Sequence, residues 1–130
     1  MRRLRGLVVW LPFGRVPEIT APQLHAWLDD GPGPQLLDVR TPAEWQSGHI
    51  EGARNVPLRE LPRRLPTLGL ETDRTVVAIC LSVHRSVPAV RMLKRAGFVE
   101  AVQLGGGMRA WREHGLPTVT AARARTSADG

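Results

Sequence analysis

A chain of 130 residues with 42% hydrophobic content suffices for one domain with its own core and is too short for two. Its single cysteine, Cys80, excludes an internal disulfide framework, and the scattered histidines (His25, His49, His84 and His114) offer no zinc spacing. The net charge of +6 sits mostly at the ends: Arg2, Arg3, Arg5 and Arg15 precede residue 16, Arg123, Arg125 and Asp129 follow residue 119, and the stretch between is close to neutral, unlike the basic stripe of a nucleic-acid binder.

Residues 1–15 read as a basic and apolar N-terminal extension. The apolar run Leu4–Phe13 holds Pro12 and lacks a small-x-small cleavage site. It is also shorter than the ~20 residues a membrane helix needs. No membrane contact is expected, and a free thiol suits a reducing cytoplasm. The domain is expected over residues 16–119. Val16–Ile19 reads as a short strand, and Thr20 as the cap of a helix over Pro22–Asp29 whose Leu24, Trp27 and Leu28 share a face. Gln35–Val39 is a second strand. Thr41, Pro42 and Glu44 form a capping-box pattern for a helix to about Ser47, stopped by Gly48. Ala53–Val56 is a candidate strand, and Leu58–Leu65 a short helix interrupted by Pro62.

Thr75–Ile79 is the strongest strand, β-branched and apolar on both faces, as a central parallel strand is. A loop over Cys80–Arg85 follows. A helix over Ser86–Ala96 then carries Pro88 near its start and ends at Gly97. Ala101–Leu104 is another strand, Gly105–Gly107 a turn, and Met108–His114 a last helix closed by Gly115 and Pro117. The tail over residues 120–130 is small and polar, and disorder is expected there. Alternating strands and helices predict an α/β fold with a mainly parallel sheet flanked by helices on both faces.

Such sheets gather ligands at the carboxyl ends of their strands. Cys80 lies at that end of the central strand, immediately before a helix. Unpaired N–H groups and partial positive charge at the helix start stabilise a thiolate and a neighbouring anion, and Arg85 adds a full charge. A lone cysteine after a buried strand also reads as an inert core residue. The polar loop and Arg85 favour the reactive reading.

Cys80-Leu81-Ser82-Val83-His84-Arg85-Ser86 resembles the active-site loop of rhodanese-domain sulfurtransferases. The resemblance runs through Leu37-Asp38-Val39-Arg40, Glu44, Gly48-His49-Ile50-Glu51-Gly52-Ala53, Asn55-Val56-Pro57, Gly106-Gly107-Met108-Arg109-Ala110-Trp111 and Gly115-Leu116-Pro117. It implies that Cys80 takes sulfur from thiosulfate or an organic persulfide, holds it as a persulfide against the N–H groups of Leu81 to Ser86, and yields it to a thiol or cyanide. It implies no cofactor and no metal, and small-molecule partners; the charge distribution already argues against nucleic acid. Two positions depart from the family pattern: Leu81 stands where a basic residue is common, and Val83 where glycine is common. If that glycine has positive φ, valine there costs about 1–2 kcal/mol. Arg85 is then the only fixed charge in the loop, and thiosulfate is expected to be a poor donor.

Other residues read mainly as structure. Asp38 and Arg40 adjoin the capping box, and His49 lies in the family's loop-holding Gly-His-Ile stretch. Trp111, at helical spacing from Met108, reads as core. Gly105–Gly107 lacks dinucleotide-fingerprint spacing. His84 is a candidate for proton transfer and reads equally well as an exposed loop residue. Two competing functions remain. Cell-cycle dual-specificity phosphatases and some arsenate reductases share the fold, with a Cys–Arg loop one residue longer. That residue adds up to ~3.5 Å of chain to cradle a tetrahedral oxyanion. A non-catalytic sulfur-carrier, binding or regulatory module is the other.

Overall fold

The structure, a computed structural model, describes residues 16–120. The extension over 1–15 and the tail beyond Thr120 lie outside the described residues. One sheet contains β1 (Glu18–Ile19), β2 (Gln35–Asp38), β3 (Arg54–Asn55), β4 (Val76–Ile79) and β5 (Ala101–Leu104). The order is β1-β5-β4-β2-β3, and every pairing is parallel. β4 takes the centre because it has no polar face to leave in water: all of its residues are fully buried.

The helices are α1 (Ala21–Asp29), α2 (Pro42–Ser47), α3 (Leu61–Arg64), α4 (Ser86–Arg95) and α5 (Gly107–Glu113). Alternation along β4 divides the core into two layers. Val76, Ala78 and Cys80 pack with Leu61 of α3 and with Ala89, Val90 and Leu93 of α4. Val77 and Ile79 pack with Leu24 and Trp27 of α1 and with Met108 and Trp111 of α5. The fold is therefore α/β, with helices on both faces of a parallel sheet.

Local chemistry sets the boundaries. Thr20 and Gln23 form one capping box, Thr41 and Glu44 another, each with proline in the first turn. The first strand is shorter than Val16–Ile19, since Pro17 has no N–H to give and offers only its carbonyl, to the Gln103 N–H. The third narrows to Arg54–Asn55. Residues 58–67 form a 3₁₀ turn, α3 and a second 3₁₀ turn. Pro62 lies in the first turn of α3 and so begins a helical segment where the sequence suggested an interruption. The last helix starts one residue early, at Gly107, behind Gly106 in the left-handed conformation.

Candidate active site

Cys80 directly follows β4 and is a free thiol, 1% exposed. The loop it opens is held from behind by α5. The N–H of Met108 donates to the Cys80 carbonyl at 2.8 Å, and that of Arg109 to the Leu81 carbonyl at 2.9 Å. This approach requires Gly107. It has φ +60°, and a Cβ there would lie 2.4 Å from the carbonyl oxygens of both Cys80 and Ser82. The Val83 carbonyl accepts from the Val87 N–H at 3.1 Å, and the Arg85 carbonyl from the Ala89 N–H at 3.3 Å.

The carbonyls of Cys80, Leu81, Val83 and Arg85 thus accept from α5 and α4. Among the described residues, no backbone N–H from Leu81 to Ser86 donates to another protein group. Those N–H groups belong to the loop that directly follows β4 and precedes α4. Leu81, Ser82 and Val83 are half-buried and His84 is exposed. The Ser82 hydroxyl and His84 Nδ1 lie 3.3 Å apart, and no hydrogen bond joins His84 to Cys80 among the described residues.

Arg85 is not a free charge. Its guanidinium donates to both carboxylate oxygens of Glu44, at 2.6 and 2.9 Å, with each side chain 31% exposed. The Arg85 hydrogen bonds, reinforced by those from Thr41, hold the Glu44 carboxyl down at about 2, while Glu44 raises Arg85 above its ordinary value. Glu44 therefore caps α2 and anchors the cysteine loop at once. Its cap accounted for it completely in the sequence, so no signal pointed to a partner 41 positions away.

Behind the cysteine, Sγ lies 3.6 Å from the Ser86 hydroxyl, which lies 2.7 Å from Gln103 Oε1. Gln103 Nε2 donates to Glu18 at 3.1 Å. Gln103 and Glu18 carried no sequence signal, because one lies inside a strand pattern and the other ahead of a helix cap. The remaining candidates are structural. Asp38 and Arg40 form a buried ion pair at 2.8 Å, and Asn55 Nδ2 bridges their carbonyls at 3.1 and 2.9 Å. His49 stacks on Trp45 with centroids 3.8 Å apart, and its Nδ1 lies 2.7 Å from the Trp45 carbonyl. Trp111 is buried and donates to the Pro117 carbonyl. No cluster of three or more His, Cys, Asp or Glu able to hold a metal occurs among the described residues. No helix among them is long and apolar enough to cross a membrane.

Comparison with known proteins agrees with this geometry. Residues 20–114 match the Rhodanese-like domain family. The chain is 38% identical over 104 residues to a protein of Allochromatium vinosum named "Sulfurtransferase", covering 80% of this chain and 95% of that one. It is 40% identical over 99 residues to the Mycobacterium tuberculosis protein named "Probable adenylyltransferase/sulfurtransferase MoeZ". That match covers 76% of this chain and only 25% of the length of MoeZ. The solution structure of the rhodanese-like domain of the Anabaena sp. protein Alr3790 is similar with a TM-score of 0.73 and 32% identity, over 83% of this chain and 82% of that one. The chain belongs to the rhodanese-like domain family.

Proposed function

We propose that this rhodanese-like chain is a sulfurtransferase that carries sulfane sulfur as a persulfide on Cys80. The observation that supports this reading best is the loop from Leu81 to Ser86. The carbonyls of Leu81, Val83 and Arg85 accept from N–H groups of α5 and α4, which leaves the loop's own N–H groups to an anionic sulfur. In the first half-reaction the Cys80 thiolate attacks the outer sulfur of the donor. The donor's own bond to that sulfur breaks, and its electron pair departs with the donor residue, sulfite in the case of thiosulfate. In the second, a thiol or cyanide attacks the outer sulfur of the persulfide, and the pair in the broken bond returns to Cys80. The kinetics are then ping-pong. The acceptor comes from outside, since the chain has no second cysteine.

Cys80 is only 1% exposed, which suits donors presenting a terminal sulfur on a slim neck. The Glu44 carboxylate already matches the Arg85 charge, so a dianion gains less from that guanidinium than from an unpaired one. This favours a neutral or organic persulfide over thiosulfate. Intact mass after incubation with thiosulfate or an organic persulfide is expected to show one added sulfur, removed by cyanide and absent in Cys80→Ser. A wild-type chain that stays unmodified with every donor supports the binding-module reading instead. One that loads sulfur and never turns over is a carrier.

A further inference from the structure

A row of polar side chains lies behind Cys80, on the α4 side of the sheet. Strand register explains it. Glu18 pairs with Gln103, and Gln103 with Ala78, two residues before Cys80. Paired positions in parallel strands face the same way, so Glu18, Gln103 and Cys80 share the face that α4 covers, and Ser86 is the first residue of α4. Ser86 is 0% exposed and Gln103 3%.

Hydrogen positions follow from donor and acceptor inventory. A carboxylate only accepts, so the contact of Glu18 with Gln103 Nε2 fixes the amide with Oε1 toward Ser86. Glu18 is itself seated against Gly105, where a Cβ would come within 3.0 Å of its Oε2. Ser86 has a single hydroxyl hydrogen. Gln103 Oε1, at 2.7 Å, is the nearest acceptor for it, ahead of the Val83 carbonyl at 3.2 Å. Ser86 then presents a lone pair to Cys80 Sγ. A lone pair suits a thiol S–H, and the inner sulfur of a persulfide needs no donor. A thiolate does need one.

We propose that Glu18 and Gln103 form a clamp that withholds the Ser86 hydroxyl hydrogen from Cys80, favouring the thiol and the sulfur-loaded state over the bare thiolate. The sulfur-loaded half of this statement rests on the proposed function, and the thiol half does not. When an acceptor takes the outer sulfur and the electron pair returns to Sγ, the Ser86 O–H must turn from Gln103 to that sulfur. Glu18, Gln103 and Ser86 are positioning residues here. The other charged or titratable groups on the surrounding elements are Arg85 and His84 in the loop, Glu44 on α2, Asp38 and Arg40 at the end of β2, Arg63 and Arg64 on α3, Arg91, Lys94 and Arg95 on α4, and Arg109, Arg112 and Glu113 on α5. All of these stay constant in the test.

The test is iodoacetamide alkylation of sulfur-free, full-length protein as a function of pH, read by intact mass. Glu18→Ala lets the Gln103 amide turn and frees the hydroxyl hydrogen. The expected result is about tenfold faster alkylation at mildly acidic pH, the effect of one hydrogen bond to a charged group, with the alkaline plateau unchanged. Gln103→Leu removes the acceptor while keeping the Glu18 charge, and is expected to give the same displacement. It also stands in should Glu18→Ala fail to fold. In a Ser86→Ala background both effects are expected to vanish. Profiles that coincide with wild type, or a displacement that survives in Ser86→Ala, overturn the clamp. Alkylation needs no sulfur donor, so failure to form a persulfide would defeat the proposed function without altering this result.

Discussion

The carboxyl ends of β2 and β4 are neighbours in one sheet and carry opposite designs. At the end of β2, Asp38 accepts from the backbone N–H, Nε and Nη2 of Arg40, and Arg40 also donates to the Gly48 carbonyl at 2.8 Å. Both side chains are buried, and Asn55 takes up their carbonyls. Hydrogen-bonding capacity there is spent on the protein itself. At the end of β4, carbonyls are spent while N–H groups are kept, and the one strong ion pair, Arg85 with Glu44, lies at the half-exposed rim. Both ends are charged and polar. The two ends differ in which bonding capacity the protein itself takes up.

The largest effect should come from breaking the closed end. Arg40→Leu leaves Asp38 buried without its cation and should cost ~3–5 kcal/mol. Denaturant titration measures this, and the folded fraction should still alkylate Cys80 at the wild-type rate. A change in that rate at full folding would mean that β2 also belongs to the site.

Gly107→Ala attacks the open end from behind. Its Cβ has nowhere to go but into the carbonyls of Cys80 and Ser82. Sulfur loading should fall about a hundredfold, equivalent to ~2.7 kcal/mol of lost transition-state stabilisation. Single-turnover loading followed by mass spectrometry reads it. Unchanged loading would show that the position of the loop against α5 does not matter.

Charge at the mouth should matter less. Leu81→Arg should raise kcat/KM for thiosulfate by about ten- to a hundredfold, the worth of one charge-assisted hydrogen bond, with little change for an organic persulfide. An unchanged ratio of the two donors would remove position 81 from specificity. It would direct attention to the exposed Arg109, whose backbone N–H already holds Leu81.

The smallest effect concerns the rim. The Glu44 carboxyl sits at about 2 in the folded chain against an ordinary 4.5. Its lowered value contributes stability that is present in full above about pH 4.5 and is lost as pH falls toward about 2. Glu44→Gln should flatten that acid slope and lower stability at neutral pH by ~1–2 kcal/mol, allowing for its partial exposure. Stability measured against pH tests both. An acid slope unchanged in Glu44→Gln would assign it to other carboxylates.

Cys80, its loop and the order of elements were all legible in the sequence, because they rest on local chemistry. An apolar β-branched run makes Val76–Ile79 central, Thr41 with Pro42 and Glu44 starts α2, and Cys80 opens the loop that leads into α4. Leu58–Leu65 is helical as read, but the role of Pro62 was misread, since a proline that breaks a helix and one that begins it look alike until the backbone around them is known.

Four things needed the tertiary structure. Glu44 reaches Arg85, Gly107 backs the cysteine loop, and Asn55 closes the end of β2. Glu18 and Gln103 line up behind Ser86. Each joins positions far apart in the chain, and each residue already had a sufficient local reason to be where it is. Periodicity and capping fix which way a side chain faces along its own element. Which strand lies beside it, and in what register, is set by the packing of the whole sheet, and that packing alone decides whose hydrogen Cys80 meets.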